Sequence, residues 1–212
     1  MNDLDWIDSY KIDPAIQKER ETSRMTNSPG SVSILSDSEA KRIERKSDAK
    51  DALSGNLPKP GQSIHFITNA RYDFWMVVKC AIEIMGTVKH FYGSTWTMNR
   101  ENVQELLTLY DNGSLENISM LTGLYFKRRE SAVYAQLLAG LEERGQRFNS
   151  FRNHAKVILL QSDNDYIVME GSANFTANPR LENFCIMNDK KLYDFHKDWM
   201  EEMLEVEGAK TI

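Results

Sequence analysis

Two hydrophobic patterns alternate along this chain from Ser63 onward, and together they limit the folds that it can adopt. Short apolar runs of strand length are separated by segments in which apolar residues recur every three or four positions, as they do on one face of a helix. The clearest helical segment, RYDFWMVVKCAIEIMG, ends in Gly86, and glycine is common immediately after a helix. Strands that alternate with helices predict an α/β fold.

The individual segments are assigned from these patterns and from the turn residues between them. The predicted strands, in chain order, are SIHFIT, TVKHFYGSTW, NISMLTGLYF, RFNSFRNHAKVILL, DYIVMEGS and ENFCIMN. The predicted helices are RYDFWMVVKCAIEIMG, ENVQELLTLYDNG, SAVYAQLLAGLEERG and KKLYDFHKDWMEEMLEV. This order, with a hairpin late in the chain, predicts a mixed central sheet flanked by helices on both faces.

The first part of the chain lacks this alternation. TNSPGSVSILSDSE is rich in turn-forming residues, EAKRIERKSDAKDAL can form a polar helix, and SGNLPKPGQ contains two prolines. We therefore predict an N-terminal extension over residues 1–60, either poorly structured or helical, and an α/β domain over residues 61–212. A segment that packs on a partner and a plain tail without a role both remain open.

Composition restricts the class of protein. A chain of 212 residues with 41% apolar side chains can bury one sizeable core. Cys80 and Cys185 have no CxxC spacing and follow no secretory leader, so we expect a reduced, cytoplasmic protein. The longest apolar run is far short of the roughly 20 residues that cross a bilayer, so we expect no membrane association. The net charge of −5 means that a polyanionic partner would need a local basic patch.

Residues 153–184, NHAKVILLQSDNDYIVMEGSANFTANPRLENF, contain side chains suited to phosphoryl chemistry. Successive side chains on a strand face opposite ways, so Arg152, His154 and Lys156 would share one face of a strand. An imidazole can attack phosphorus, and an ammonium group two residues away can neutralise charge on the non-bridging oxygens. The sequence therefore predicts a phosphate site at this strand.

The return strand of the predicted hairpin adds further polar groups. Gly171 would let the backbone approach a ligand closely, and Ser172 and Asn174 offer neutral hydrogen-bond donors to the same phosphate. Glu182 supplies a carboxylate that can hold one imidazole nitrogen and so fix which nitrogen faces the substrate.

These residues resemble the HxK…GSxN motif of the phospholipase D superfamily, in particular its small single-motif members, which include bacterial endonucleases. The resemblance is dense over residues 153–184, and the order of strands and helices from about 63 to 204 is similar to one half of that fold. It implies catalytic roles for five residues: His154, Lys156, Ser172, Asn174 and Glu182. The sequence departs from the motif at Gln161, where the family commonly has an aspartate.

The resemblance also implies a function and an assembly. Members of this superfamily are phosphodiesterases that act through a phosphohistidine, so we expect a nuclease on DNA or RNA that needs no cofactor or metal. Since the chain has one motif, the resemblance implies a homodimer in which His154 of each chain faces the other. The alternative is a catalytically silent module that binds nucleic acid or protein, which Gln161 and the acidic net charge favour. A lipid phosphodiesterase is disfavoured, because the chain has no membrane-docking segment and no second motif.

Residues outside the motif are candidates for substrate binding. Trp96 follows a strand and precedes a helix, where α/β folds place ligand-contacting loops, so it can stack on a base or belong to the core. Arg128 and Arg129, with Lys127, form a basic cluster at a predicted strand exit that can follow a phosphate backbone or be solvated. Arg152, next to the motif, joins them as a candidate.

The remaining histidines and the acidic turn have simpler interpretations. His65 and His90 lie in strands without motif partners, and His196 lies on the closing helix, so we expect packing or surface roles. Asp163 and Asp165 occupy the turn SDNDY, which is typical of turn chemistry rather than of a metal site. We predict no metal site.

Overall fold

The computed structural model describes residues 48–53, 55–68, 73–176 and 181–206. The predicted N-terminal extension falls mostly on residues 1–47, which lie outside these ranges. Ala49 and Leu53 are buried in the larger of the two apolar cores of the α/β unit, so residues before 60 contribute to that core. The division of the chain near residue 60 stays a prediction. No helix in the described ranges is long and apolar enough to span a bilayer.

From Ser63 to Glu205, the described residues form seven strands and five helices. The strands are β1 Ser63–Thr68, β2 His90–Thr95, β3 Ile118–Gly123, β4 Arg147–Phe151, β5 Val157–Gln161, β6 Tyr166–Gly171 and β7 Glu182–Asn188. The helices are α1 Phe74–Met85, α2 Arg100–Asp111, α3 Leu124–Arg129, α4 Ser131–Glu143 and α5 Lys190–Glu205.

Polar caps fix where the long helices begin. Asp73 accepts a hydrogen bond from the Met76 amide at 2.7 Å at the start of α1. Asn99 and Asp189 accept backbone amides in the same way at the starts of α2 and α5. Such caps satisfy amide groups that have no partner within the helix. Gly86 follows α1 with a φ of 79°, so the C-cap predicted from the sequence is confirmed.

The strands form one mixed sheet in the order β1-β7-β6-β5-β2-β3-β4. β2, β3 and β4 run parallel to one another, whereas every other neighbouring pair is antiparallel. The carboxyl ends of β2, β3, β4 and β6 therefore lie at the same edge of the sheet as the amino ends of β5 and β7. We call this the carboxyl edge.

The sheet separates two apolar cores, because alternate side chains of a strand face opposite ways. On β5, Ile158 and Leu160 belong to the larger core, which also contains the buried residues of α1. Leu159 belongs to a second core with Tyr193 and Met200 of α5. The predicted mixed sheet with helices on both faces is confirmed.

The long strand predicted from Arg147 to Leu160 is wrong, because the chain forms two strands there. β4 is an outermost strand of the sheet and pairs with β3, whereas β5 lies between β2 and β6. The chain must therefore cross the carboxyl ends of β3 and β2, and residues 152–156 make this crossing without strand structure. His154 and Lys156 lie on this crossing segment and do not share a strand face.

The strand predicted for NISMLTGLYF is too long at its end. β3 stops at Gly123, and α3 begins at the next residue. A side chain at Gly123 would lie 2.8 Å from the indole of Trp96 and 2.9 Å from the Asn153 carbonyl, so neighbouring segments approach this strand end closely. The basic cluster thus lies in the last turn of a short helix, with Phe126 buried beneath it.

Candidate active site

The crossing segment that carries the HxK residues is held by buried polar contacts. The side-chain Nδ2 of Asn153 donates to the hydroxyl of Ser94 on β2 at 2.8 Å, and its side-chain Oδ1 accepts the Ala155 backbone amide at 2.9 Å. Ser94 donates in turn to the Ala155 carbonyl at 3.2 Å. Asn153 is buried, whereas His154 beside it is exposed. The backbone on both sides of His154 is therefore fixed to the sheet.

The side chains of His154 and Lys156 contact each other directly. The Lys156 ammonium lies 2.9 Å from Nδ1 of His154 and 3.3 Å from Nε2, and it donates to the His154 carbonyl at 2.6 Å. An ammonium group has only donors, so the ring nitrogen that it faces must carry a lone pair. Lys156 itself is only 6% exposed. The pair places a buried cation against an exposed imidazole.

The electrostatics of this pair favour a neutral imidazole. Desolvation, and secondarily the positive charge of Lys156, hold the pKa of His154 below its ordinary value. Burial also lowers the pKa of Lys156, while the carboxylate of Glu182 acts in the opposite direction. His154 is therefore largely unprotonated at neutral pH and has a lone pair for nucleophilic attack.

Ser172 and Glu182 meet at the same edge. The Ser172 hydroxyl donates to the Glu182 carboxylate and accepts the Asn183 amide at 3.1 Å. The sequence predicted that Glu182 would hold the imidazole of His154, but its carboxylate instead accepts this serine, and the ring nitrogens face Lys156. The reason is that His154 lies on the crossing segment rather than on the strand from which that contact was inferred.

The GSAN segment is held close to β7 and to the larger core. A side chain on Gly171 would come within 2.2 Å of the Asn183 carbonyl, so only glycine fits there without a shift of the backbone. Phe175 is fully buried, and its backbone carbonyl accepts a hydrogen bond from the side-chain amide of Asn102 at 2.5 Å. Within the described residues, the side-chain oxygen of Asn174 is buried without a hydrogen-bond partner. This oxygen is an acceptor, so a hydrogen-bond donor is missing at this position within the described residues.

Two solved structures resemble this one over most of their length. Nuc from Salmonella typhimurium, a phospholipase D family member, matches with a TM-score of 0.50 at 16% sequence identity, over 67% of this chain and 93% of Nuc. NucT from Helicobacter pylori matches with a TM-score of 0.51 at 14% identity, over 68% of this chain and 96% of NucT. The chain has the phospholipase D fold. No protein-family model and no curated protein matches the sequence.

In this phospholipase D fold, Trp96 lies beside the HxK pair. Its ring stacks on that of Tyr125, with centroids 4.6 Å apart and planes 11° apart, and lies 5.5 Å from the His154 ring. Sequence reasoning missed Tyr125. Its position just after β3, at the edge where ligand sites form in α/β sheets, was the available signal, but the residue was assigned to the strand.

The three predicted basic residues differ in how they are placed relative to His154. Arg152 is exposed on the crossing segment, next to His154. Arg129 donates to the Tyr125 hydroxyl at 3.2 Å, which ties it to the same edge. Arg128 is exposed on α3, with no contact recorded within the described ranges that would direct it towards His154.

Gln161, the departure from the family motif, lies at the far end of β5 from Lys156. At about 3.3 Å per residue, this strand separates the two by roughly 16 Å. Gln161 accepts the Tyr193 hydroxyl at 3.3 Å and so links β5 to α5. Asp163 and Asp165, near the same end, bind Lys89 and Asn188. These residues are remote from the HxK pair.

A groove of about 530 Å³ begins at Lys156 and is lined by residues of β1, β6 and β7. Lys156 lines the groove together with Glu170, Cys185 and Ile67. Ile67 is 74% exposed, and Leu181, which precedes β7 at the same edge, is 73% exposed. Large apolar side chains are therefore accessible next to the candidate catalytic residues.

Proposed function

We propose that this protein is a metal-independent phosphodiesterase, a nuclease, that acts through a phosphohistidine at His154. The observation that carries the proposal is the buried Lys156 ammonium held 2.9 Å from a neutral, exposed imidazole. A neutral imidazole is a nucleophile, and a fixed cation beside it stabilises the negative charge of a phosphoryl transition state. Ser172 and Asn174 lie at the same edge as further hydrogen-bonding groups.

The contact between Lys156 and His154 defines the first step. A bound phosphodiester offers oxygen acceptors to the ammonium, which then leaves the ring nitrogen free. The lone pair of that nitrogen attacks phosphorus, so that an N–P bond forms while the P–O bond to the leaving alkoxide breaks. Asn174 and Lys156 hold the non-bridging oxygens during this step.

Release of product requires a second proton-transferring group. The leaving oxygen takes a proton from the partner subunit's His154 in a homodimer, where the negative charge of the bound diester favours protonation of that imidazole. The same imidazole, now neutral, removes a proton from water. The water oxygen attacks phosphorus, the N–P bond breaks, and both histidines return to their starting states.

Two features support a shared site. His154 is the described histidine that contacts Lys156, and His65, which lines the adjoining groove, pairs with Ser63 instead. The two steps need a nucleophile and an acid on opposite sides of phosphorus. The exposed Ile67 and Leu181 lie beside it, and an interface with two-fold symmetry would bury both on each subunit. The distance of Gln161 from the HxK pair supports an active enzyme over a silent binding module.

The proposal predicts that cleavage persists in a chelator. Because Lys156 and Asn174 neutralise the phosphate charge, purified protein should cut labelled single-stranded or duplex DNA or RNA equally well with and without EDTA. Product formation on a denaturing gel is the measurement. Activity that disappears in EDTA and returns with magnesium would contradict the mechanism. Binding without cleavage under either condition would favour the silent module.

Mixed dimers test the shared site. When wild-type chains and His154→Ala chains with different tags are co-expressed in equal amounts, random pairing makes about a quarter of the dimers fully wild type. Total activity should fall to that share, and purified heterodimers should be inactive, because each site needs both histidines. Heterodimers that retain half of the wild-type activity would show that each chain has a complete site.

A further inference from the structure

Trp96 and Tyr125 form an aromatic shelf beside the candidate nucleophile. The two rings are nearly parallel, with centroids 4.6 Å apart, and the indole lies 5.5 Å from the imidazole of His154. The residues follow the carboxyl ends of two neighbouring parallel strands, β2 and β3. A ligand whose phosphate contacts His154 therefore has a flat aromatic surface within one nucleotide of the reacting bond.

The shelf is held firmly on its inner side. A side chain on Gly123 would lie 2.8 Å from Cδ1 of Trp96 and 2.9 Å from the carbonyl of Asn153. The absence of a side chain there lets the indole lie against the end of β3 and the crossing segment. Asn153 is itself fixed by its hydrogen bond to Ser94. The indole and the backbone next to His154 are thus positioned by the same contacts.

The outer side of the shelf is accessible. Tyr125 is 44% exposed, which is unusual for an aromatic ring that only fills a core. The guanidinium of Arg129 lies 5.7 Å from the centre of the Tyr125 ring, and its side chain is 63% exposed. A planar cation over an aromatic ring can move outwards and cover a base that enters between them.

We propose that the aromatic shelf binds an unpaired nucleobase adjacent to the scissile phosphate, with Arg129 covering the outer face of the base. The proposal rests on the proposed function, since it assigns the substrate class of the same site. A base inside a duplex is stacked and paired, so it cannot lie on Tyr125 without leaving the helix. The shelf therefore selects single-stranded nucleic acid, whichever bases it contains, because every base has a π face.

The test compares binding of two strands of equal length and charge. One is a fluorescein-labelled single-stranded oligonucleotide, and the other has the same backbone with abasic residues throughout. Affinities are measured by fluorescence anisotropy with full-length His154→Asn protein, which retains a planar polar side chain beside Trp96 and cannot form the covalent intermediate. Tyr125→Ala removes the shelf, and Tyr125→Phe retains the ring without the hydroxyl.

The expected result is that the strand with bases binds about tenfold or more tightly than the abasic strand. Tyr125→Ala should remove that difference without weakening the abasic strand, and Tyr125→Phe should largely preserve it. Three results would contradict nucleobase binding at the shelf: equal affinity for both strands, equal weakening of both by Tyr125→Ala, or no binding of either strand. Failure of the proposed function is separate, because it would appear as wild-type protein that binds the strand with bases and does not cleave it.

Discussion

Replacement of His154 by alanine is expected to reduce nucleic-acid cleavage by about four orders of magnitude or more, as for loss of a covalent nucleophile. In a symmetric dimer the substitution removes both the nucleophile and the acid. Affinity for a single-stranded oligonucleotide should change little, because a neutral imidazole contributes little to phosphate binding and the proposed contacts of Lys156 and Asn174 would remain. Single-turnover cleavage and anisotropy titration measure the two quantities separately.

The chain offers a matched control for this substitution. His90 is exposed at the start of β2, at the opposite edge of the sheet from Trp96, so His90→Ala should leave cleavage unchanged. A His154→Ala protein that folds normally and cleaves at the wild-type rate would remove His154 from the mechanism. Equal loss of activity in both variants would indicate damage to the fold.

Lys156→Met is expected to lower kcat/KM by roughly 100- to 1000-fold, since the ammonium acts on charge that develops in the transition state. Affinity should also weaken by about tenfold, because the same charge contacts the ground-state phosphate. This joint loss differs from the effect of His154→Ala, which should spare affinity. Lys89→Met is the control, because Lys89 pairs with Asp163 at the opposite edge.

The same variant has an expected pH signature. The charge of Lys156 helps to lower the pKa of His154, so the neutral nucleophile persists below the ordinary histidine range in the wild type. Removal of that charge raises the pKa, and the acid limb of kcat/KM against pH should move to higher pH. Burial continues to lower the pKa, so the limb should stay below the ordinary value. If the acid limb does not move, the charge of Lys156 does not influence the pKa of His154.

The fold followed from the sequence because its elements have strong local signals. The apolar residues of α1 and β5 predicted a helix and a strand there, and Gly86 predicted where α1 ends. Sequence periodicity did not predict the strand boundaries that depend on tertiary structure. Nothing local distinguishes one long strand at RFNSFRNHAKVILL from two strands, because the break at residues 152–156 is set by the position of β5 on the far side of β2 and β3.

The roles of the candidate site residues stay a prediction, and their contacts in the structure differ in part from those inferred from the sequence. His154 and Lys156 do meet, although through the crossing segment rather than along a strand face. The predicted contact of Glu182 with His154 was wrong, because the pairing of β6 with β7 brings Ser172 to Glu182. Tyr125 was missed because it was assigned to the strand, whereas β3 ends at Gly123 and Tyr125 lies beyond it beside Trp96.

A covalent intermediate at His154 determines the stereochemical course at phosphorus. An oligonucleotide with a single phosphorothioate of known configuration is hydrolysed in ¹⁸O-labelled water, and the configuration of the product is determined. Attack by His154 followed by attack by water comprises two in-line displacements, so overall retention of configuration is expected. Inversion would mean a single displacement by water and would contradict the phosphohistidine.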